Sequence, residues 1–271
     1  IIRNTFNFSN IIEDNSANKK PTLLISCGRK SVIPSIVLKN YLHTKNNMEV
    51  YNIHIQDPKV QINNFSFIVV PEHDRLEGEN IIKSKGAIHY ITDEEIQGAK
   101  ALTISKNVLT VILGGPNKYY SFSLEELKRL FHKIELLFLN RVEEIKIISS
   151  RRTPESIVSF LRDRYKDNSK VIVDSSLSRK NYIEALAQAK KIIVTSDSIS
   201  MLSEAATTGV PIYLAKLKSY KNDHRFDSFL ELFKKLNIIK DLETNEDSWT
   251  YDKLYETKRI AELLKNKITL S

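Results

Sequence analysis

The feature that most constrains the fold is a repeated alternation between short β-branched runs and amphipathic stretches of helical period. Each run ends in Gly, Ser, Pro or Arg, and an amphipathic stretch follows it along the chain. Strands that alternate with helices form parallel sheets covered by helices, because each parallel connection needs a crossover. The pattern therefore predicts an α/β protein built from Rossmann-like parallel sheets.

The pattern also predicts the bounds of the elements. The predicted strands are Thr22–Ser26, Val50–Ile55, Phe67–Val70, Val108–Leu113, Ile145–Ser149, Val171–Val173, Ile192–Val194 and Pro211–Leu214. The predicted helices are Ser31–Tyr41, Leu124–Leu139, Pro154–Tyr165, Tyr182–Ala189, Ile199–Thr208, His224–Leu236 and Lys253–Lys267. Because the pattern restarts at Val108, we predict a front lobe over residues 1–105 and a back lobe over residues 106–271, on which the last helix packs.

Composition narrows the class of protein. The chain has 271 residues, of which 41% are hydrophobic and 27% charged, as in an ordinary globular protein. A single cysteine excludes an internal disulfide and favours a reducing compartment, so we predict a soluble, cytoplasmic protein.

The formal net charge is +8, but the lysines are scattered and no zinc-finger spacing appears, so nucleic acid is not a predicted partner. The basic last helix permits a peripheral membrane contact, although packing on the protein is favoured.

The segment Thr195–Pro211 carries the strongest functional signal. It follows a predicted strand, and ligands of parallel sheets bind beyond the carboxyl ends of the strands. The residues predicted to contact the ligand are Thr195, Ser196, Asp197, Ser198, Ser200, Met201 and Glu204. Free N–H groups at the helix start favour an anion, and the Glu204 carboxylate can accept hydrogen bonds from two sugar hydroxyls. The structural alternative is that Ser198 only caps the helix and Glu204 is a surface residue.

A glycine-rich loop is predicted at the same edge of the sheet. Gly114 and Gly115 allow backbone to approach a ligand closely, and Lys118 adds positive charge. Ser123 and Glu126 have the spacing of a capping box that begins the next helix. A plain tight turn is the structural alternative for the two glycines.

An arginine-containing loop follows the next strand. Ser150, Arg151 and Arg152 lie at the strand end, where a phosphate or carboxylate is held in such folds. Thr153 is predicted both as a donor-binding residue of this loop and as the N-cap, with Pro154 as the first helical residue. The alternative is that both arginines are simply solvated.

The front half contains a candidate general base. His73 lies between Glu72 and Asp74 directly after a predicted strand, and a histidine oriented by a carboxylate acts as a base near neutral pH. A hydrogen-bonded histidine in a surface turn is the alternative. The sequence has no Walker A motif, no G-x-G-x-x-G, no Asp-x-Asp and no H-E-x-x-H, so neither a metal nor a resident cofactor is predicted.

Several motifs together resemble one known family. They are S-C-G-R-K-S at Ser26–Ser31, Q-D-P at Gln56–Pro58, V-V-P-E-H-D at Val69–Asp74, G-A-I-H at Gly86–His89, L-G-G-P at Leu113–Pro116, S-R-R-T-P at Ser150–Pro154 and T-S-D-S-I-S-M-L-S-E-A at Thr195–Ala205. In these motifs and in their order, the chain resembles the family named for the elongated-mitochondria protein, a plant mitochondrial-fission adaptor. This family also has bacterial members of glycosyltransferase type.

The resemblance implies a fold and a separate binding role for each lobe. It implies a GT-B-like fold of two Rossmann-like lobes, with a nucleotide sugar as co-substrate in the back lobe. By the same resemblance Glu204 holds the ribose and the loop of Gly114 and Gly115 lies near the diphosphate. The implied acceptor-side residues are Gly28, Arg29, Ser31 and the turn Pro71–Asp74. The family's first strand and its loop are expected before Ile1, so an incomplete front lobe is expected.

Three functions follow as hypotheses. The first is a metal-independent glycosyltransferase that binds a nucleotide-sugar donor between two lobes and passes the sugar to an unknown acceptor. The second is a non-catalytic adaptor that keeps the fold and binds a protein partner at a membrane. The third is a nucleotide-sugar epimerase.

Overall fold

The contacts within the chain divide it into two compact units. The computed structural model describes residues 22–46, 48–102, 106–221, 224–243 and 248–269. Unit 1 holds the described residues of 22–85 and 258–269, and unit 2 holds those of 86–257. From the sequence we predicted a boundary at residue 105 instead, with the last helix in the second lobe.

Unit 1 contains a four-stranded parallel sheet. Its strands are β1 (Thr22–Cys27), β2 (Val50–Ile55), β3 (Phe67–Pro71) and β4 (Ile81–Ser84), paired in that order. Helix α1 (Val32–Asn46) connects β1 to β2. The connections on either side of β3 carry only short 3-10 turns, at Ile62–Asn64 and Glu72–Asp74, where the chain is polar and has no apolar stripe of helical period.

Unit 2 contains a six-stranded parallel sheet. Its strands are β5 (Val108–Ile112), β6 (Glu144–Ile148), β7 (Val171–Asp174), β8 (Ala189–Thr195), β9 (Ile212–Ala215) and β10 (Ile239–Asp241). They pair in the order β10-β9-β8-β5-β6-β7. This is the Rossmann strand order, in which the direction of winding reverses between β5 and β8.

Helices cover both faces of the unit 2 sheet. They are α2 (Asp93–Ala101), α3 (Leu124–Phe138), α4 (Glu155–Tyr165), α5 (Arg179–Gln188), α6 (Ile199–Ala205) and α7 (His224–Lys235). One core cluster joins α3 and α4 to one face, and a second joins α5, α6 and α7 to the other. Because α2 packs on α5, residues 86–102 belong with this sheet. The prediction of an α/β protein with two parallel sheets is confirmed.

The chain returns to unit 1 through helix α8 (Glu256–Thr269). Ile260 is buried, and Arg259 donates a hydrogen bond from Nη2 to the Lys83 carbonyl at 2.7 Å, which ties the helix to β4. Within the described ranges, no helix is long and apolar enough to cross a bilayer.

Candidate functional site

Unit 2 has a cavity of about 410 Å³ at the carboxyl ends of β6 and β7, which we call the unit 2 pocket. Its lining comes from the loops after these two strands and from α5, α6 and Tyr90. The lining residues are Tyr90, Ile148, Ser149, Ser150, Arg151, Asp174, Ser176, Leu177, Ser178, Arg179, Tyr182, Met201 and Glu204. Ligands of parallel sheets bind at this edge, so the pocket is the candidate site.

A tyrosine and a glutamate form a hydrogen-bonded pair on one wall of the pocket. The Tyr182 hydroxyl on α5 donates to Glu204 Oε2 on α6 at 2.7 Å. Burial raises the pKa of Glu204, and the hydrogen bond from Tyr182 partly opposes that shift. Burial also raises the pKa of Tyr182, as does the nearby carboxylate, so the phenol stays protonated and donates. The pair leaves the carboxylate aligned but able to accept further hydrogen bonds.

The loop between β7 and α5 forms a second wall and is held by local hydrogen bonds. Asp174 accepts from the Ser176 backbone N–H and from Asn181 Nδ2, both at 2.8 Å. Ser178 caps α5 by accepting from the Asn181 backbone N–H. Leu177 has a φ of 54° and is 56% exposed, so this loop presents an apolar side chain at the pocket.

A stacked pair of side chains lies at the rim of the pocket. The Arg179 guanidinium lies over the Tyr90 ring, 4.8 Å from its centroid, and forms an ion pair with Glu95. Glu95 belongs to a capping box with Thr92 at the start of α2. The first turn of α2 therefore orients an arginine at the pocket.

The turn after β8 is occupied by protein contacts rather than open to solvent. The Asp197 side chain is 0% exposed, and its carboxylate accepts from the Gly115 N–H at 3.0 Å and the Thr195 hydroxyl at 2.7 Å. Arg152 Nη2 lies 2.9 Å from the same carboxylate. The Thr195 hydroxyl in turn accepts from the Gly114 N–H at 2.9 Å. This group, which we call the Asp197 network, joins the loops after β5, β6 and β8.

The two glycines are required by this packing. A Cβ at Gly114 would lie 2.1 Å from Asp197 Oδ2, and one at Gly115 would lie 2.1 Å from the Arg152 carbonyl oxygen. Their close approach is therefore to neighbouring protein atoms, and their role beside a diphosphate stays a prediction.

The loop of Ser150–Thr153 rests on the glycine loop. The Ser150 hydroxyl donates to the Gly114 carbonyl at 2.9 Å, and Thr153 Oγ1 accepts from the Ser150 N–H at 2.8 Å. The prediction that Thr153 caps α4 is wrong, because its hydroxyl is used within this loop and Pro154 occupies the N-cap position. Ser150 and Arg151 line the pocket, whereas Arg152 points into the Asp197 network.

The remaining predicted donor-side residues lie outside the pocket lining. Ser196 accepts from the Leu217 N–H at 3.0 Å, and Ser198 caps α6 by accepting from the Met201 N–H at 3.4 Å, which is the structural alternative to a ligand contact. Ser200 is exposed, and Lys118 Nζ lies over the Tyr119 ring.

The predicted capping box at the start of α3 is half correct. Ser123 accepts from the Glu126 N–H at 3.2 Å, as the spacing predicted. The Glu126 carboxylate instead accepts from the Ser121 hydroxyl and the Lys218 N–H. Glu126 therefore ties the glycine loop to the segment after β9.

The predicted front-lobe residues lie at the carboxyl ends of β1 and β3 in unit 1. His73 Nε2 is 3.9 Å from Asp74 Oδ1, and the two side chains are 7% and 14% exposed. Glu72 is exposed in the same 3-10 turn. Their catalytic role stays a prediction.

The acceptor-side residues predicted after β1 begin a 3-10 turn. Gly28 has a φ of 82°, and Ser31 donates to the carbonyls of Cys27 and Gly28 at 2.8 and 2.9 Å. Arg29 is exposed beside them. Across the parts of the chain that the structure describes, no group of three or more His, Cys, Asp or Glu side chains is placed to hold a metal.

Sequence reasoning missed Tyr90, Asp174, Arg179 and Tyr182. The predicted helix began at Tyr182, one turn after the true start of α5, which left the capping residue Ser178 and Arg179 in a loop. The T-D-E-E segment at Thr92–Glu95 is a capping-box signature that would have found α2 and, with it, the neighbouring Tyr90.

Comparison with known proteins finds a matching family and relatives that cover most of the chain. The family model described as Mitochondrial fission ELM1 matches residues 4–268. The uncharacterized protein RP120 of Rickettsia prowazekii is 27% identical, over 94% of this chain and 82% of its own length. The mitochondrial fission protein ELM1 of Arabidopsis thaliana is 23% identical, over 92% of this chain and 64% of its own length.

Solved structures show the same fold. A candidate UDP-N-acetylglucosamine 2-epimerase from Listeria monocytogenes matches with a TM-score of 0.54 and 12% identity, over 93% of this chain and 76% of its own. At this identity the likeness shows the fold alone, and it agrees with the predicted pair of Rossmann-like lobes.

Proposed function

The chain belongs to the Mitochondrial fission ELM1 family. We propose that its unit 2 pocket binds a nucleotide sugar whose sugar is transferred to an acceptor without a metal. The observation that carries the proposal is the Glu204 carboxylate, held by Tyr182 in a concave site at the carboxyl edge of a Rossmann-ordered sheet. The name of the Listeria neighbour refers to a nucleotide sugar, which supports this ligand class.

Glu204 is the proposed ribose-binding residue. A carboxylate offers two acceptor oxygens, and the vicinal hydroxyls of a ribose are spaced to donate to both. Tyr182 uses one lone pair of Oε2 and fixes the rotamer of Glu204 before the ligand arrives. Preorganisation of this kind lowers the entropy that binding costs.

The rest of the pocket suits the other parts of a nucleotide sugar. A volume of about 410 Å³ lies within the usual range for small-molecule sites. Leu177, Met201 and Ile148 offer apolar surface for a base, and Arg151 and Arg179 offer guanidinium groups for phosphate oxygens. During transfer these arginines would stabilise the negative charge that develops on the departing diphosphate.

In this proposal unit 1 supplies the acceptor side. His73, with Asp74 beside it, is the proposed base that removes the acceptor proton, and Glu72 lies in the same turn. The residues Gly28, Arg29 and Ser31 after β1 are the proposed acceptor contacts.

Calorimetric titration tests the binding step. The purified chain is titrated with uridine, guanosine, cytidine and thymidine diphosphate sugars in turn. At least one is expected to bind with a Kd that free sugar and inorganic diphosphate do not reproduce. Failure of every donor to bind would overturn the proposal.

Removing the Tyr182 hydroxyl is expected to weaken nucleotide-sugar binding by about tenfold, because Glu204 loses the donor that aligns it. The matched control is Tyr165→Phe, which removes a hydroxyl that donates to Glu135 at 2.7 Å away from the pocket. Calorimetry should show weaker binding for Tyr182→Phe only. Equal Kd values for the two variants would show that the tyrosine does not position the carboxylate.

Nucleotide-sugar binding is also expected to weaken on acidification, and to do so at a higher pH than a glutamate of ordinary pKa would give. Burial raises the pKa of Glu204, so its carboxylate is protonated at a higher pH and then no longer accepts from both ribose hydroxyls. The stability of the free protein is expected to change with pH in the opposite direction. Because the pKa of Glu204 is raised in the folded state, its contribution to the free energy of unfolding is lost as pH rises through that pKa. Calorimetric titrations across the acidic range should show the loss of nucleotide-sugar affinity, and Glu204→Gln should remove this pH dependence.

Family membership also favours a second function, a non-catalytic adaptor, since one relative is named as a mitochondrial fission protein. The name of the Listeria neighbour favours a third, epimerisation of the sugar. Product analysis with a donor that binds separates them. Transfer releases nucleoside diphosphate and forms a glycoside, epimerisation inverts the sugar, and an adaptor gives neither product.

A further inference from the structure

Unit 1 has its own cavity, of about 450 Å³, between the edge strand β4 and helix α8. We call it the β4–α8 cavity. Four cationic side chains and one carboxylate line it, together with apolar side chains that include Leu263. The charged lining residues are Glu72, Lys83, Lys85, Arg259 and Lys267. An excess of cations within one concave surface favours an anionic ligand.

One of these cations, Arg259, is held in place by a hydrogen bond to the backbone. Arg259 Nη2 donates to the Lys83 carbonyl at 2.7 Å, which anchors the guanidinium against the backbone of β4. Lys83 Nζ is 3.0 Å from Glu77, but the Glu77 side chain is 82% exposed. Such an exposed ion pair contributes little free energy, so a stronger anion can replace Glu77 at little cost.

We propose that the β4–α8 cavity binds a ligand through a phosphate group. Proteins commonly bind phosphate through the guanidinium group of arginine and the ammonium group of lysine. Arg259 supplies the first kind of group in this cavity, and Lys83 and Lys85 supply the second. The cavity is concave and belongs to unit 1, so this inference does not depend on the unit 2 pocket or on its ligand.

Two sources of phosphate fit this chemistry. One is a small soluble phosphate ester bound within the cavity. The other is the headgroup of an anionic lipid, for which Leu263, 38% exposed on α8, offers apolar surface beside the cations. The shared requirement is the phosphate, and the experiment distinguishes the sources.

The test uses the full chain with two kinds of probe. Inorganic pyrophosphate and glycerol 3-phosphate are titrated by calorimetry, and binding to vesicles of phosphatidylglycerol or of phosphatidylcholine is measured by co-sedimentation. The variant Lys85→Gln with Lys267→Gln removes two cations and leaves the anchored Arg259 in place. The control Lys166→Gln with Lys180→Gln makes the same charge change on exposed lysines of unit 2.

We expect roughly fivefold weaker binding for each cation removed, and so about 25-fold for the cavity variant, with little change for the control. Binding of the soluble phosphates supports the site with a soluble ligand. Binding of phosphatidylglycerol vesicles alone supports it with a lipid headgroup. Absence of binding to every probe, or equal losses in the two double variants, overturns the proposal.

Discussion

Replacing Asp197 with alanine is expected to lower the free energy of unfolding by about 3 kcal/mol. The substitution leaves the buried Gly115 N–H and Thr195 hydroxyl without their acceptor. Arg152 also loses its partner, but its side chain is 40% exposed and water replaces most of that interaction. The loss corresponds to a decrease in Tm of roughly 6–12 °C for a domain of this size.

Denaturant and thermal unfolding measure this effect. The control is Glu125→Ala, which breaks an ion pair with Arg129 whose side chains are 79% and 73% exposed, and which should change stability by less than about 0.5 kcal/mol. If Asp197→Ala unfolds like Glu125→Ala, the Asp197 network does not hold the three loops together.

Replacing Glu204 with glutamine is expected to weaken nucleotide-sugar binding by about 100-fold. An amide keeps the shape but offers one acceptor oxygen in place of two charged ones, and each hydrogen bond to a charged group contributes about 1.5–3 kcal/mol. The Tyr182 hydroxyl can still donate to the amide oxygen, so the fold is expected to be retained. The measurement is calorimetry with the donor that binds the unmodified chain.

The matched control for this change is Glu184→Gln. Glu184 lies on α5 outside the pocket lining, 3.9 Å from Lys180 Nζ. It should bind the donor like the unmodified chain. A similar loss of affinity in both variants would point to a general effect of charge rather than to ribose recognition by Glu204.

The sequence predicted most of the fold because a buried parallel strand is a continuous β-branched run. The V-L-T-V-I run of β5 is buried at every position, and its bounds were predicted to within one residue. Two strands were missed for the opposite reason. The I-I-K-S segment of β4 and the I-K-D segment of β10 are edge strands, too short and too polar to give a signal.

Part of the candidate site was predictable and part was not. The spacing of the helix after β8 placed Glu204 in the helix, which agrees with the structure. Ser198 was predicted as a ligand contact, and the structure shows the alternative, in which it caps the helix. The burial of Asp197 was not predictable, because its partners Gly115 and Arg152 are distant along the chain. Hydroxyl- and glycine-rich loops at a sheet edge have the same sequence pattern whether they bind a ligand or one another.

Tyr182 was missed because its partner, too, is distant along the chain. A tyrosine near the start of a helix has no sequence signature that tells a core residue from one facing a pocket. Only the packing of α5 beside α6 brings its hydroxyl to Glu204.

A crystal structure of the chain with the nucleotide sugar that binds most tightly tests the role of Glu204 directly. We expect the ribose in the unit 2 pocket, with its two hydroxyls donating to the Glu204 carboxylate at about 2.5–3.0 Å. We also expect the diphosphate beside Arg151, with the Asp197 network unchanged. A nucleotide bound elsewhere, or one whose ribose does not contact Glu204, would overturn the proposed function.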